Sequence, residues 1–193
     1  MITNLSENIR TFIAANINDT ILNEIGKAQE HLENIDCDVK WVKTTNVHLT
    51  LKFLGEIEQK RVPKIVEKLE FLTKHIRSIR TQLSQLGAFP KIEKPKVIWI
   101  GLEDNSNEIA DLVEAIDNTL TKEGFKKEEH SFKPHVTIGR IRSLKNISAL
   151  ANALKIYSLP QSIYQEITEI KLIKSILTPK GPIYEDLKAF KLQ

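Results

Sequence analysis

Two tetrapeptides, His48-Leu49-Thr50-Leu51 and His135-Val136-Thr137-Ile138, repeat one order of side chains: imidazole, apolar, hydroxyl, apolar. On a β-strand, residues two apart share a face. Each segment therefore presents a His and a Thr on one side and packs two apolar groups on the other. With five His and 13 Thr in the chain, a bare His–x–Thr pairing is unremarkable, and the full apolar-framed order occurring twice is improbable by chance. Two of these strands side by side would gather two imidazoles and two hydroxyls in one pocket. Imidazole titrates near neutrality, so one ring can accept a proton while another donates one. The hydroxyls are neutral donors for non-bridging phosphate oxygens. Opening a cyclic phosphodiester needs this combination: a base for water, an acid for the leaving oxygen and donors for the remaining oxygens.

A cation would help hold phosphate charge, and Arg140 is the candidate. On a regular strand it points away from His135 and Thr137, so a bulge at Gly139 is needed to turn it inward. Lys52 has the right parity to join His48 and Thr50, and competes with a reading as a solvated strand lysine. Phe12, Trp41 and Trp99 read mainly as core, with Phe12 the candidate among them to stack a nucleobase at the rim. His31, His75 and His130 lack the His–apolar–Thr–apolar frame. Neither pair has a carboxylate or third His at useful spacing, so no metal is expected. The single cysteine, Cys37, excludes an internal disulfide and every paired-cysteine motif.

The elements that must position these residues follow from hydrophobic periodicity. Strands are expected over 9–15, 39–42, 47–54, 79–86, 97–102, 135–141 and 167–177, with a last short one over 184–190. Helices are expected over 20–34, capped by Asp19 or Thr20, and over 59–76 with Pro63 in the first turn. Two more fall over 107–122, capped by Ser106 and stopped by Gly124, and over 147–154. Mixed elements without a βαβ rhythm predict an α+β fold with antiparallel sheets.

The chain has 193 residues, 28 Lys or Arg and 25 Asp or Glu, for a net charge of +3. That length suits one domain with a proper core. The charge is too small for a sequence-independent coat on duplex DNA, and leaves room for one or a few phosphates. No basic-then-apolar leader and no run of 18 apolar residues is visible, so a soluble cytoplasmic protein is expected.

The segments Asn46–Glu56 and Phe132–Arg140 resemble the paired motifs of the 2H phosphoesterase superfamily, and within it the RNA 2′,3′-cyclic phosphodiesterases, also called 2′-5′ RNA ligases. Arg10–Ala14, Gly87–Pro90 and Val97–Gly101 also resemble that family, so the likeness covers roughly residues 8–142. It implies one domain over 1–193 made of two interleaved, pseudo-symmetric lobes. Each lobe would be an antiparallel sheet with helices on its outer face, and the active-site cleft would lie between them. His48 would be the proton donor and His135 the acceptor, with Thr50, Thr137 and Arg140 on the phosphate. The implied substrates are RNA ends bearing a 2′,3′-cyclic phosphate or small cyclic nucleotides, opened to a 2′-phosphate without cofactor or metal, with weak reversible 2′-5′ ligation. A monomer without an obligate partner is expected. The alternatives are an RNA-end-binding module with negligible turnover, and a phosphodiesterase for a small molecule such as an ADP-ribose cyclic phosphate. A glycine at 139 departs from the family pattern, which more often has a larger residue there.

Overall fold

A computed structural model describes residues 7–193; the first six, part of the stretch read for a leader, lie outside that range. The strands are β1 (Asn8–Asn16), β2 (Val39–Trp41), β3 (His48–Glu58), β4 (Ile79–Phe89), β5 (Val97–Leu102), β6 (His135–Ile141), β7 (Tyr164–Ile167), β8 (Glu169–Thr178) and β9 (Gly181–Lys191). The helices are α1 (Asp19–Glu33), α2 (Val62–Thr73), α3 (Glu108–Thr121) and α4 (Ile147–Ile156). The strands run in the order β7-β4-β5-β6-β3-β1-β8-β9, with β2 also paired to β6, and every pairing is antiparallel. Read outward from the β6–β3 junction, each side runs through four strands, with β2 a fifth beside β6, and each side's inner strand carries one motif. The expected α+β architecture of two facing lobes is what the chain forms.

The helices interleave the lobes. Helix α1 follows β1 of the first lobe yet packs on the second: the Gln29 amide donates to the Val42 and Ile138 carbonyls at 2.7 and 2.8 Å. At its start, the Asn18 backbone N–H donates to Gln165 on β7. Helices α2 and α3 cover the first lobe, through Glu70–Lys188 to β9 and Asp117–Lys52 to β3. Alternate apolar residues of the strands, such as Leu49, Val136, Ile98 and Ile100, are sealed beneath these helices. No helix among the described residues is long and apolar enough to cross a membrane.

Several boundaries differ from the sequence reading. Helix α1 is capped by Asn18, whose side chain accepts the Ile21 N–H at 2.8 Å, rather than by Asp19 or Thr20. Ser106 does not cap α3; Asp104 reaches over it, its carboxylate accepting the Ile109 and Ala110 N–H groups at 2.9 Å each. A carboxylate there also complements the helix dipole. Gly124, at φ 82°, ends the turn after α3 as expected. Residues 59–61 form a 3₁₀ turn outside α2. Strand β7, too short to show a period, went unpredicted, and β4 runs on to Phe89.

Candidate active site

Strand β3 meets β6 through Leu49 opposite Val136. Because the pair is antiparallel, His48 lies on the Thr137 side of the junction and Thr50 on the His135 side. Leu49 and Val136 point into the core and are fully buried, so the four motif side chains take the opposite, cleft face. All four are half-buried. The two motifs thus cross at the seam of the lobes, and each His stands next to the other motif's Thr.

Both imidazoles are oriented in the same way. His48 Nδ1 donates to the Asn46 carbonyl at 2.9 Å, and His135 Nδ1 donates to the Lys133 carbonyl at 2.6 Å. A carbonyl only accepts, so each Nδ1 carries a hydrogen and each Nε2 is left for chemistry. Burial pushes both imidazoles below their ordinary pKa of 6.5, against the weaker upward pull of these hydrogen bonds. Aromatic rings wall both. Phe12 stacks on His48 at 4.8 Å and Tyr184 meets it edge-on at 5.2 Å. Phe89 meets His135 edge-on at 4.9 Å, with Trp99 behind at 6.1 Å. Trp99 lies flat over Gly87, where an added Cβ would sit 2.2 Å from the indole.

A bulge after each Thr decides which later side chains enter the cleft. On β6, Gly139 pairs with Ile98 and Thr137 with Trp99, so Ile138 is the extra residue. Ile138 and Gly139 both turn to the core, and Arg140, opposite Val97, comes round to the face of Thr137 and His135. A side chain at 139 would meet Trp41 and Val39 at 2.9 Å, which accounts for glycine there. On β3, Lys52 pairs with Ile13 and Thr50 with Ala14, so Leu51 is the extra residue. Lys52 therefore turns away from the cleft, contrary to its parity in the sequence. It is 3% exposed, its Nζ donating to Asp117 Oδ1 at 2.5 Å and to the Lys126 carbonyl at 3.0 Å. Its place in the cleft goes to Phe53, five residues after His48 as Arg140 is five after His135.

Phe12 is not at the rim. At 4% exposure, between His48 and Tyr184, its ring has no open face for a base. Phe53, 62% exposed, is the open aromatic of this face, and sequence reasoning missed it. Tyr184 was also missed, because it reaches His48 from a distant strand. Its hydroxyl is pushed up by burial, with Arg140 of the other lobe and then Arg10 opposing. Among the described residues, no three His, Cys, Asp or Glu side chains are grouped to hold a metal ion.

Comparison with known proteins agrees with this two-fold build. The family described as LigT like Phosphoesterase matches twice, over residues 16–99 and 100–184, with one His–Thr motif in each match. A Methanocaldococcus jannaschii protein named RNA 2′,3′-cyclic phosphodiesterase is 37% identical over 180 residues, 93% of this chain and 99% of its own. One of the same name from Archaeoglobus fulgidus is 34% identical over 183 residues, 95% of this chain and all of its own. The E. coli LigT structure complexed with 3′-AMP superposes with a TM-score of 0.77 at 20% identity, covering 97% of this chain and 99% of that one. Doubled over both lobes and backed by relatives alike from end to end, the match is unambiguous: this chain is an enzyme of the LigT-like 2H phosphoesterase family.

Proposed function

We propose that the chain hydrolyses the 2′,3′-cyclic phosphate of RNA ends or nucleotides to a 2′-phosphate, by acid–base catalysis between two histidines and without a metal. The crossing of the two motifs carries this reading: two Nε2 atoms and two hydroxyls converge on one space, with Arg140 on the same face. His135 Nε2 takes a proton from water as the water oxygen bonds to phosphorus. The P–O3′ bond breaks, and His48 Nε2 delivers a proton to O3′. Thr50, Thr137 and Arg140 hold the non-bridging oxygens as charge builds on them. His48 must be protonated to act as acid although burial disfavours its charge. The bound cyclic phosphate anion supplies the opposite charge that restores the proton. Replacing water by a 5′-hydroxyl in the same step gives 2′-5′ ligation. Both lobes contribute, so one chain carries the complete set of proposed catalytic groups.

The names of the relatives and the 3′-AMP bound to E. coli LigT support a nucleotide substrate. The base has a platform in Phe53, whose exposed ring on the cleft face suits stacking. The test is turnover of a 2′,3′-cyclic nucleotide in EDTA. His48→Ala and His135→Ala should each slow it by about 10²–10⁴-fold, the range for losing a general acid or base. Product binding without turnover from about pH 5 to 8 would favour the end-binding module instead. Faster turnover of an ADP-ribose cyclic phosphate than of RNA ends would favour the small-molecule enzyme.

A further inference from the structure

The β8–β9 hairpin does more than extend the first lobe. Strand β1 pairs with β8 over Thr11–Ala14 against Lys174–Lys171, while β8 and β9 stay paired as far as Thr178 and Gly181. The hairpin beyond Lys174 is therefore an arm with no registered partner in β1. Its far end returns to the motif: the Asn46 side-chain amide donates to the Pro182 carbonyl at 3.2 Å. Two residues on, Tyr184 lies edge-on to both His48 and Phe12, each at 5.2 Å between ring centroids. Asn46 is also the residue whose carbonyl accepts from His48 Nδ1. The arm thus grips His48 twice, at the ring through Tyr184 and at the orienting carbonyl through Asn46. His135 is oriented by Lys133 and walled by Phe89 and Trp99, which belong to its own lobe's sheet.

We propose that Tyr184 is a positioning residue for His48: with the Asn46–Pro182 link, its ring holds the imidazole against Phe12 so that Nδ1 stays on the Asn46 carbonyl and Nε2 faces the cleft. An imidazole on an exposed strand turns freely about two side-chain torsions and exchanges tautomers. Boxed by a stacked ring, an edge-on ring and a carbonyl, it has one orientation. The role is assigned to the ring, which meets His48 edge-on at 5.2 Å, rather than to the hydroxyl.

This inference rests on the cyclic phosphodiesterase reading, and its test separates the two. Tyr184→Ala, Tyr184→Phe and Asn46→Ala are compared with wild type by nitrogen NMR of the His48 ring and by kinetics on a 2′,3′-cyclic nucleotide. Tyr184→Ala should bring an Nε2–H tautomer into the His48 spectrum, leave His135 unchanged and lower kcat by about 10–100-fold with KM within about threefold, as expected for a misaimed group. Tyr184→Phe should restore the wild-type tautomer and most of kcat. Asn46→Ala, which keeps its backbone carbonyl, should fall between them, and serves alone if Tyr184→Ala does not fold. A wild-type His48 spectrum and kcat in Tyr184→Ala, or in Asn46→Ala where that variant stands alone, would overturn the inference. So would a Tyr184→Phe protein as impaired as Tyr184→Ala, since the hydroxyl would then be the working part. If wild type fails to turn over the nucleotide, the functional reading falls while the tautomer shift still decides the role of Tyr184.

Discussion

Lys52→Met separates two accounts of one residue. Read by parity, Lys52 would hold phosphate, and the variant would raise KM without touching stability. The bulge at Leu51 places it instead in a buried pair with Asp117, the side chains 1% and 7% exposed. Removing one partner strands a carboxylate that keeps only long hydrogen bonds from the Glu128 N–H, at 3.3 and 3.4 Å. Loss of half a buried pair costs about 3–5 kcal/mol. For a chain of this size, where 1 kcal/mol shifts Tm by about 2–4 °C, the expected fall is about 6–20 °C. Lys52→Met/Asp117→Leu removes both charges and should recover most of that loss, because the stranded charge rather than the missing attraction dominates it. The assay is urea denaturation of wild type, both single variants and the double variant, alongside KM for a cyclic nucleotide. A single variant within about 1 kcal/mol of wild type, below the usual cost of any buried unpaired charge, together with a raised KM, would refute the burial account.

Other expectations follow from the same geometry. Phe53→Ala should raise KM by about 5–150-fold, the worth of one stacked base at about 1–3 kcal/mol, and should leave a ribose 2′,3′-cyclic phosphate lacking a base unaffected in steady-state kinetics. Gly139→Ala forces a Cβ to within 2.9 Å of Trp41 and Val39, so thermal melts should show a loss of about 1–3 kcal/mol and KM should rise as Arg140 is displaced. Burial lowers both free-enzyme imidazole pKa values below 6.5, and kcat/KM reports the free enzyme. Activity needs one ring protonated and the other neutral, so the alkaline fall of kcat/KM should begin below pH 6.5, while kcat, read on the anion-bound enzyme, holds to higher pH. The two values belong to the pair rather than to single residues. A kcat/KM profile flat through neutrality would contradict this.

What was legible in the sequence was local. Alternation over four residues put His48 with Thr50 and His135 with Thr137, and apolar periodicity found every helix. What was hidden depends on register between strands. Lys52 and Arg140 pose the same question, since each follows a bulge after the motif Thr, and the bulge inverts both: the lysine leaves the cleft and the arginine enters it. Gly139 gave warning in one case, and nothing as plain marks Leu51. Phe53 could have been found by the shared five-residue offset from each histidine. Tyr184 could not, because its contact with His48 spans most of the chain and depends on how the hairpin arm folds back. Phe12 reads in the sequence mainly as core with the rim as an alternative, and its burial follows the first, since an aromatic walling an imidazole and one stacking a base look alike in sequence.

The central claim is that two crossed His–Thr motifs direct water to phosphorus with O3′ as the leaving group. Phosphorus NMR of the product formed from a 2′,3′-cyclic nucleotide in EDTA tests it most directly, with His135→Ala as control. The account predicts the 2′-phosphate alone from wild type and almost none from the control. A 3′-phosphate, or undiminished product from His135→Ala, would contradict it.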